Sequence, residues 1–465
     1  MKKLIEYTTE ELLQKFGSGE HKPGSGSAAA FQGLLSAQLI VTVITLSKRK
    51  PKYREWLQEY ERMNSEIENR IYPQLLHFFQ LDSEQFDRVI KLRRELKSET
   101  DVVKWRLIKQ TLDDATLPAT QTPIGIAKLC AELADCAVFL CDYGFQAARG
   151  DSGVALNNAT ATIAGCLSII NLNLLSLGHD EQTEQIRLDA ERLKAIYDGL
   201  IVKAAESLSR LEKEAERMKR YHQRIQELDS GRWVKKKHSH SEIEELARRV
   251  QNTLWLYRDI LGQKVTEENI IDLLKPDMVL TQILNYQYFE LESLDQNIKD
   301  NDGFEIAGII DKAKKSVAVS RQFPKETRNF TAAHELGHAL LHEQTVLHRD
   351  KPIDGSGIGN TRDAVEIEAD KFATYFLMPE KLVNDFFKQL FLTSKFVINE
   401  NTVFSLMGGS LAAFKRTCKN LRDLSMILAA AESYNGQQFR SLADIFNVSQ
   451  TTMAIRLEEL GFVEF

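Results

Sequence analysis

The sequence predicts a multidomain, mainly α-helical protein. A chain of 465 residues is longer than one hydrophobic core commonly serves. Most apolar residues recur at helical spacing, and they include two long runs rich in small residues, 28–46 and 154–177. A polar, basic stretch at residues 229–244 interrupts this pattern and divides the chain into two halves.

The two apolar runs predict core helices of an N-terminal helical bundle. Each run is long enough to approach a membrane span. Polar residues such as Gln32 and Asn158 interrupt them, and no aromatic belt flanks the first. Small residues such as Gly33 and Gly165 suit close helix–helix contact. We therefore expect helices buried in a bundle or an oligomer core, with a membrane span as the alternative.

A long charged helix is predicted over residues 184–228, where apolar residues recur at helical intervals among Glu, Lys and Arg. Residues 229–244 then break the pattern and include the basic run Lys235-Lys-Lys-His-Ser-His240. The two histidines of this run have no acidic or cysteine companion at ligand spacing. The sequence therefore predicts a solvated linker.

The motif that carries chemistry is His334-Glu335-x-x-His338, which lies within a helical apolar pattern. Residues four apart share a helix face, so both imidazoles can reach one metal ion. Glu335 projects beside that ion, where a general base for an attacking water belongs. The motif therefore predicts a zinc-peptidase centre. The alternative is an amphipathic helix whose histidines serve packing.

A second helical stretch, residues 366–379, supplies carboxylates for a third zinc ligand. Glu366 and Asp370 share a face, so one can bind zinc while the other orients a ligand histidine. Glu368 is the alternative third ligand. Two nitrogens and one oxygen leave the fourth position to water, as a catalytic zinc site requires. His342 lies one turn further along, which predicts a helix-end or orienting role.

The end of the chain, residues 441–461, has a helix-turn-helix rhythm in which Ser449 caps a second helix. A helix that reads DNA needs basic residues. This helix offers Arg456 beside two glutamates. We therefore predict a packing or partner-binding tail, and we do not expect DNA binding.

Composition excludes few classes, with 43% hydrophobic and 27% charged residues as in ordinary water-soluble proteins. A formal net charge of −6 gives no overall attraction to nucleic acid or an anionic membrane. The 5 cysteines lack paired C-x-x-C spacing, which favours reduced thiols. Residues 1–7 lack the apolar core of a signal peptide. We expect a cytoplasmic protein without a membrane anchor.

The stretch from Arg328 to His342 resembles the ImmA/IrrE zinc metallopeptidases, as do the later Glu-x-Glu-Ala-Asp and Leu-Met-Pro motifs. The resemblance covers residues 245–385 approximately. It implies an α+β, gluzincin-like domain with short strands at residues 304–308 and 316–320, before the active-site helix.

This resemblance also implies a ligand set and a substrate class. Zinc lies on His334, His338 and Glu366, with Glu335 as the base. Characterised relatives cleave a DNA-binding repressor, so the implied protein substrate is a regulator.

Two turns in the first half resemble the formiminotetrahydrofolate cyclodeaminase and methenyltetrahydrofolate cyclohydrolase family. They are His21-Lys-Pro-Gly-Ser-Gly-Ser27 and Arg149-Gly-Asp-Ser-Gly-Val-Ala155, each placed before an apolar run. The resemblance covers residues 5–215 approximately, and implies an all-helical homodimer that binds a tetrahydrofolate derivative. Backbone donors at a helix start also suit an anionic group. The candidate ligand-binding residues are Pro23, Gly24, Ser25, Gly26, Ser27, Asp82 and Asp151.

Departures from that family's pattern leave catalysis in the first half open. Ser25 stands where the family has glycine, Phe145 replaces an asparagine, and residues 96–99 replace a Leu-Pro-Lys segment. Asp82 and Asp151 are retained, and carboxylates can handle protons on a folate ring. The pattern favours a binding or dimerisation module, with a working folate enzyme as the alternative.

The sequence thus predicts four regions. They are 1–228 (cyclodeaminase/cyclohydrolase-like helical bundle), 229–244 (linker), 245–385 (α+β gluzincin-like metallopeptidase domain) and 386–465 (helical tail with a helix-turn-helix-like end). The expected function is a zinc-dependent metallo-endopeptidase that cleaves a regulatory protein such as a repressor. The bundle serves dimerisation or ligand sensing. An active one-carbon folate enzyme and a non-catalytic transcriptional regulator or scaffold are the alternatives.

Overall fold

The computed structural model describes residues 2–178, 180–231, 233–294, 306–343, 348–350 and 363–465. The described chain divides into two compact units, Met1–Glu216 and Arg217–Phe465. The first is a helical bundle, and the second combines a small mixed sheet with helices and ends in a helical tail. The mainly α, multidomain fold class predicted from the sequence is therefore confirmed.

Helices build the first unit. They are α1 (Thr9–Phe16), α2 (Ser25–Lys48), α3 (Leu57–Glu66), α4 (Tyr72–Ser98), α5 (Val102–Tyr143), α6 (Arg149–Leu174) and most of α7 (Glu181–Asp229), whose last residues, 217–229, belong to the second unit. Short 3₁₀ or π segments occur at Leu4–Glu6, Pro51–Trp56, Ile67–Ile71 and Gln146–Ala148. The long charged helix predicted over residues 184–228 corresponds to α7.

The two apolar runs form α2 and α6, which pack against each other and against α5 in the core of the bundle. The Oγ atom of Ser36 on α2 donates to the carbonyl of Ala155 on α6, at 2.7 Å. By length and composition alone, α2 and the stretch Gln146–Leu174 would suffice to cross a membrane. Half of the most apolar window of each is buried in the bundle, as the core helices of many proteins are.

The second unit contains ten helices and eight strands among its described residues. The helices are α8 (His240–Leu256), α9 (Pro276–Met278), α10 (Lys325–Leu341), α11 (Ala364–Leu377), α12 (Glu380–Phe391), α13 (Glu400–Met407), α14 (Leu411–Thr417), α15 (Leu421–Ala430), α16 (Leu442–Phe446) and α17 (Gln450–Glu459). The strands are β1 (Gln287–Leu291), β2 (Gly308–Asp311), β3 (Ser316–Ser320), β4 (His348–Asp350), β5 (Phe396–Val397), β6 (Ser433–Tyr434), β7 (Gln437–Gln438) and β8 (Val463–Glu464). A 3₁₀ segment, Glu267–Leu273, and a π segment, Val279–Ile283, complete the list.

The main sheet has the strand order β1-β3-β2-β4, with β1 parallel to β3 and the other pairs antiparallel. The predicted strand at residues 316–320 coincides with β3. The strand predicted at residues 304–308 instead begins at Gly308, and Phe304 and Glu305 lie outside the described residues. Helix α10 packs on β2 and β3, so the sheet supports the helix that carries the histidine motif.

The segment between α7 and α8 differs from the predicted solvated linker. Helix α8 already begins at His240, capped by the side chain of Ser239. His238 is buried, with 5% of its surface exposed, because its imidazole finds acceptors inside the second unit. The prediction of a solvated segment is therefore wrong at His238. The division of the chain into four regions, predicted from the sequence, stays a proposal. Limited proteolysis would test it by locating the boundaries of the stable segments.

The tail ends in α16 and α17, and Ser449 accepts a hydrogen bond from the Thr452 backbone as the predicted cap of α17. Arg456 on α17 is only 4% exposed. Its Nε donates to the carbonyl of Met378 at 3.1 Å, and its guanidinium lies 5.0 Å from the ring centre of Tyr375. The basic residue of this helix therefore serves packing against the end of α11.

Candidate active site

Helix α10 buries its histidine motif completely. His334, Glu335 and His338 are each 1% exposed or less. The helix has β2 and β3 on one side and α11 on another. Buried polar side chains require partners, and those of the two histidines come from α11 and from His342 at the end of α10.

The two imidazoles and one carboxylate converge on a single point. The Nε2 atoms of His334 and His338 lie 2.9 Å apart. The carboxylate oxygens of Glu366, on the first turn of α11, lie 3.2 Å from the first of these nitrogens and 3.5 Å from the second. One cation placed between these three atoms can contact all of them.

The donor set and its spacing fit zinc. A tetrahedral centre with bonds of about 2.0–2.1 Å keeps neighbouring ligand atoms roughly 3.3 Å apart. The three observed separations lie between 2.9 and 3.5 Å. Two imidazole nitrogens and one carboxylate oxygen are also a ligand combination typical of catalytic zinc, which keeps a further position for water.

Asp370 orients the first histidine. Its Oδ1 atom accepts a hydrogen bond from Nδ1 of His334 at 2.9 Å. This contact fixes the proton on Nδ1 and turns the lone pair of Nε2 toward Glu366 and His338. The helical spacing of Glu366 and Asp370 thus places one carboxylate at each nitrogen of the same ring.

A second buried group lies next to the first and consists of His238, His342 and Glu368. Oε2 of Glu368 lies 2.6 Å from Nδ1 of His238 and 3.2 Å from Nε2 of His342. Burial raises the pKa of the Glu368 carboxyl, but hydrogen bonds from His238 and His342 outweigh it and leave the pKa lowered. Glu368 is therefore engaged away from the point where Glu366 meets the two motif histidines.

Lys312 closes the carboxyl end of α10. Its Nζ donates to the carbonyl of His338 at 3.1 Å and to the carbonyl of His342. A cation at this end also complements the helix dipole. Burial lowers the pKa of the Lys312 ammonium, and the nearby Glu343 opposes that shift. Lys312 thus ties the turn after β2 to the helix end that carries His338 and His342.

Glycines on two neighbouring elements allow the close packing of the site. A Cβ atom on Gly308 of β2 would lie 2.5 Å from Cγ2 of Thr331 and 2.8 Å from Oε1 of Glu335. A Cβ atom on Gly337 of α10 would lie 3.1 Å from Cα of Ala369 on α11. The backbones of β2 and α11 therefore approach α10 more closely than a side chain at either glycine allows.

Replacing Gly337 by Ala is expected to weaken zinc binding. The new methyl group meets the backbone of α11 and pushes Glu366 away from the histidines, at a cost to folding of about 1–3 kcal/mol. Zinc affinity, measured by chelator competition, and the free energy of unfolding should both fall. Gly409→Ala is the control, since a Cβ there meets nothing within 4 Å. Unchanged zinc affinity in the Gly337 variant would contradict this packing argument.

In the first unit, Asp82 occupies the start of α2. Its Oδ2 atom accepts hydrogen bonds from the backbone N–H of Ser27, at 2.6 Å, and from the Ser27 hydroxyl, at 3.0 Å. Burial raises the pKa of the Asp82 carboxyl, and the bonds from Ser27 reduce that shift without cancelling it. The expected free backbone donor at Ser27 is thus already taken by the chain's own carboxylate.

The other candidate ligand-binding residues of the first unit differ in how exposed they are. Pro23, Gly26 and Ser27 are buried, Gly24 is half-buried and Ser25 is exposed at the start of α2. Asp151 is half-buried in the first turn of α6. The hydroxyl of its neighbour Ser152 is buried and has no hydrogen-bond partner within the described part of the chain.

Replacing Gly26 by Ala is expected to destabilise the first unit. Its Cβ would lie 1.9 Å from Oδ1 of Asp82, so the carboxylate must leave Ser27. We expect the free energy of unfolding to fall by about 1–3 kcal/mol in chemical denaturation. The control, Gly199→Ala in α7, has open space around the Cβ and should stabilise by roughly 0.5–1 kcal/mol. Equal effects of the two variants would contradict the assigned contact.

The structure brings His334, His338, Glu366 and Asp370 together, and it places His342 beside His338. Sequence reasoning missed His238, which lies 130 positions before its partner Glu368. No periodic pattern joins residues so far apart, and the surrounding lysines suggested a solvated segment. The available signal was that His342 and Glu368 lay on the two helices of the motif without an assigned role as zinc ligands.

Comparisons with known proteins agree with both resemblances. Residues 8–192 match the family described as formiminotransferase-cyclodeaminase, and residues 289–395 match the peptidase family M78 described as IrrE N-terminal-like domain. Methenyltetrahydrofolate cyclohydrolase of Methylorubrum extorquens is 27% identical over 197 residues, which are 42% of this chain and 90% of that protein. The crystal structure of formiminotetrahydrofolate cyclodeaminase from Thermotoga maritima is 18% identical, with a TM-score of 0.40, and the match covers 45% of this chain and 98% of that one.

The formiminotransferase-cyclodeaminase match covers most of the bundle, and the IrrE N-terminal-like match contains the histidine motif and α11. Both family resemblances predicted from the sequence are therefore confirmed. The chain thus contains one segment similar to the family described as formiminotransferase-cyclodeaminase and a later segment similar to the IrrE N-terminal-like domain.

Proposed function

We propose that this protein is a zinc-dependent metallo-endopeptidase. His334, His338 and Glu366 hold the zinc ion, Glu335 is the general base, and Asp370 orients His334. The observation that carries the proposal is the approach of two Nε2 atoms and one carboxylate to within 3.5 Å of one another. The match of residues 289–395 to a peptidase family supports it.

Zinc at this point would supply a Lewis acid for the scissile carbonyl and make water a stronger nucleophile at neutral pH. The remaining chemistry belongs to the chain. Glu335 follows His334 on the same helix, and its carboxylate takes the proton of the attacking water. It then delivers that proton to the nitrogen of the leaving amine, so one buried group serves both proton transfers.

Metal analysis tests the site directly. Purified protein, loaded with zinc and then dialysed, should retain one zinc ion per chain. The double variant His334→Ala/His338→Ala should retain none, whereas a variant of the exposed His240 should behave as the wild type. A wild-type chain that retains no zinc would refute the proposed function.

We propose a regulatory protein, such as a repressor, as the substrate, acted on in the cytoplasm. The proposal extends the IrrE-type match of the peptidase segment. The tail gives DNA recognition little support, because Arg456, the basic residue of α17, is engaged with Met378 and Tyr375. A non-catalytic DNA-binding regulator would instead show salt-sensitive duplex binding that survives the loss of zinc.

We further propose that the bundle dimerises the chain and senses a ligand such as a tetrahydrofolate derivative. Large apolar side chains remain exposed on its helices, as an interface requires. Those on α2, α6 and α7 are Leu35, Val154, Leu172, Leu188, Ile196, Ile201, Val202 and Leu208. Sedimentation measures the dimer, and a tetrahydrofolate that binds without changing the peptidase rate would refute ligand control of cleavage.

An active folate enzyme is the second candidate, favoured by the match over 90% of a methenyltetrahydrofolate cyclohydrolase. Asp82 is held by Ser27, so Asp151 is the carboxylate left to handle protons in this half. Turnover of methenyl- or formimino-tetrahydrofolate that is lost in Asp151→Asn and kept in Glu335→Gln would establish this activity. Absence of turnover would leave binding as the role of the bundle.

A further inference from the structure

The two zinc-binding histidines of the proposed centre are oriented in different ways. His334 donates directly to the carboxylate of Asp370. His338 instead presents its Nδ1 atom to another imidazole, with 3.0 Å between Nδ1 of His338 and Nδ1 of His342. A neutral imidazole can donate or accept at either nitrogen, so it fixes the tautomer of a second imidazole only when another group fixes its own tautomer. The orientation of His338 therefore depends on what holds His342.

His342 is held by Glu368. The Glu368 carboxylate accepts hydrogen bonds, so Nε2 of His342, at 3.2 Å from Oε2, carries the proton that is donated. In the neutral ring, Nδ1 of His342 is then the acceptor. His338 consequently donates from its own Nδ1 and turns the lone pair of Nε2 toward Glu366 and His334. The chain of donors and acceptors thus gives His338 the tautomer that a zinc ligand needs.

The chain ends on His238. Glu368 accepts from the backbone N–H of His238 at 2.8 Å and lies 2.6 Å from its Nδ1 atom. Nε2 of the same ring lies 2.6 Å from the carbonyl of Trp233, which can only accept. Both ring nitrogens of His238 therefore lie within hydrogen-bonding distance of oxygen atoms, one of Glu368 and one of Trp233. His238 is 5% exposed, so water competes little for these contacts.

The spacing favours a proton rather than a second metal ion between His238 and Glu368. Ligand atoms on one tetrahedral zinc lie roughly 3.3 Å apart. The 2.6 Å between Nδ1 of His238 and Oε2 of Glu368 is too short for that arrangement and suits a charge-assisted hydrogen bond. The backbone N–H of His238 also occupies the second oxygen of Glu368.

We infer that His238 is a positioning residue of the zinc centre: it holds Glu368, which holds His342, which fixes His338 with Nε2 toward the metal. The inference rests on the proposed function. It gives the segment between Trp233 and Ser239 a positioning role, because its contacts with Glu368 help to orient His338 through His342. Arg249 on α8 lies over the ring of Trp233, with 5.3 Å to the ring centre, and helps to hold that segment.

Zinc and cobalt binding by the full-length chain tests the inference. His238→Phe keeps the approximate volume of the ring and removes both ring nitrogens, and we expect about 10-fold weaker zinc affinity in chelator competition. His238→Asn places an amide N–H near the position of Nδ1 and should restore most of the affinity. His238→Gln reaches toward Trp233 instead and should not. His240→Phe, two residues away and exposed, is the matched control.

The outcomes separate the inference from the proposed function. Affinity and cobalt absorption spectrum that change in His238→Phe and recover in His238→Asn support the positioning role. Equal affinity in His238→Phe and wild type overturns it, as do two zinc ions per wild-type chain with one lost in that variant. If His238→Phe does not fold, the Asn and Gln variants decide by the same comparison. A wild type that binds no zinc overturns the proposed function as well.

Discussion

Glu335→Gln is expected to abolish proteolysis while leaving the zinc content unchanged. Glutamine has nearly the same shape as glutamate and keeps the packing of α10, where Glu335 is fully buried. It lacks a basic carboxylate, so it cannot take a proton from the attacking water. General acid–base groups contribute about 10²–10⁴-fold to rates, and we expect a loss of at least this order. Cleavage of a pool of host-protein peptides measures it.

Glu326→Gln, in the first turn of the same helix, is the matched control and should cleave at the wild-type rate. Both variants should retain one zinc ion per chain. Undiminished cleavage by Glu335→Gln would remove Glu335 from the mechanism. A loss of zinc together with activity would give Glu335 a structural role instead of a catalytic one.

Glu366→Ala is expected to cost more zinc affinity than Glu368→Ala. Glu366 faces both motif histidines, at 3.2 and 3.5 Å, and its loss removes one of three protein ligands. Glu368 faces His238 and His342, so its loss affects the metal through the orientation of His338. Loss of an orienting partner lowers metal affinity by about 10–100-fold, and we expect Glu366→Ala to exceed this.

Chelator competition on the two variants and the wild type ranks the carboxylates. Both variants lose one carboxylate from the same helix, so each controls for the other in charge. A larger loss in Glu368→Ala would make Glu368 the third ligand, the alternative that the sequence left open.

The periodic parts of this fold could be predicted from the sequence. Helices α2, α6 and α7 follow apolar or charged repeats at helical spacing, and each structural helix overlaps its predicted range. The pairs His334/His338 and Glu366/Asp370 are likewise visible, since residues four apart share a face of one helix. Local spacing therefore predicts which side chains of each helix lie on one face, and the structure brings those two faces together.

Contacts between distant segments could not be predicted in this way. Ser27 meets Asp82 across 55 positions, and His238 meets Glu368 across 130. Neither pair has a spacing that an element of secondary structure would impose. Their local sequences also suggested the opposite environment, a free helix start for Ser27 and a solvated basic segment for His238. Tertiary packing determines both environments, because the buried carboxylates of Asp82 and Glu368 accept hydrogen bonds from Ser27 and His238.

The candidate residues of the two units differ in how they are arranged. The second unit brings its candidate ligands together within hydrogen-bonding distance. In the first unit, the carboxylate of Asp82 accepts hydrogen bonds from the backbone and the hydroxyl of Ser27 at the start of α2. The arrangement of these residues thus supports the hypothesis of a peptidase more strongly than that of a folate enzyme.

The most direct test compares newly formed protein N-termini in host cells that express the wild type or Glu335→Gln at equal levels. We expect termini that occur with the wild type alone, clustered in one or a few regulatory proteins that the purified enzyme then cleaves at the same bonds. Identical sets of termini under several stresses, with zinc confirmed in both proteins, would contradict the assignment of a peptidase.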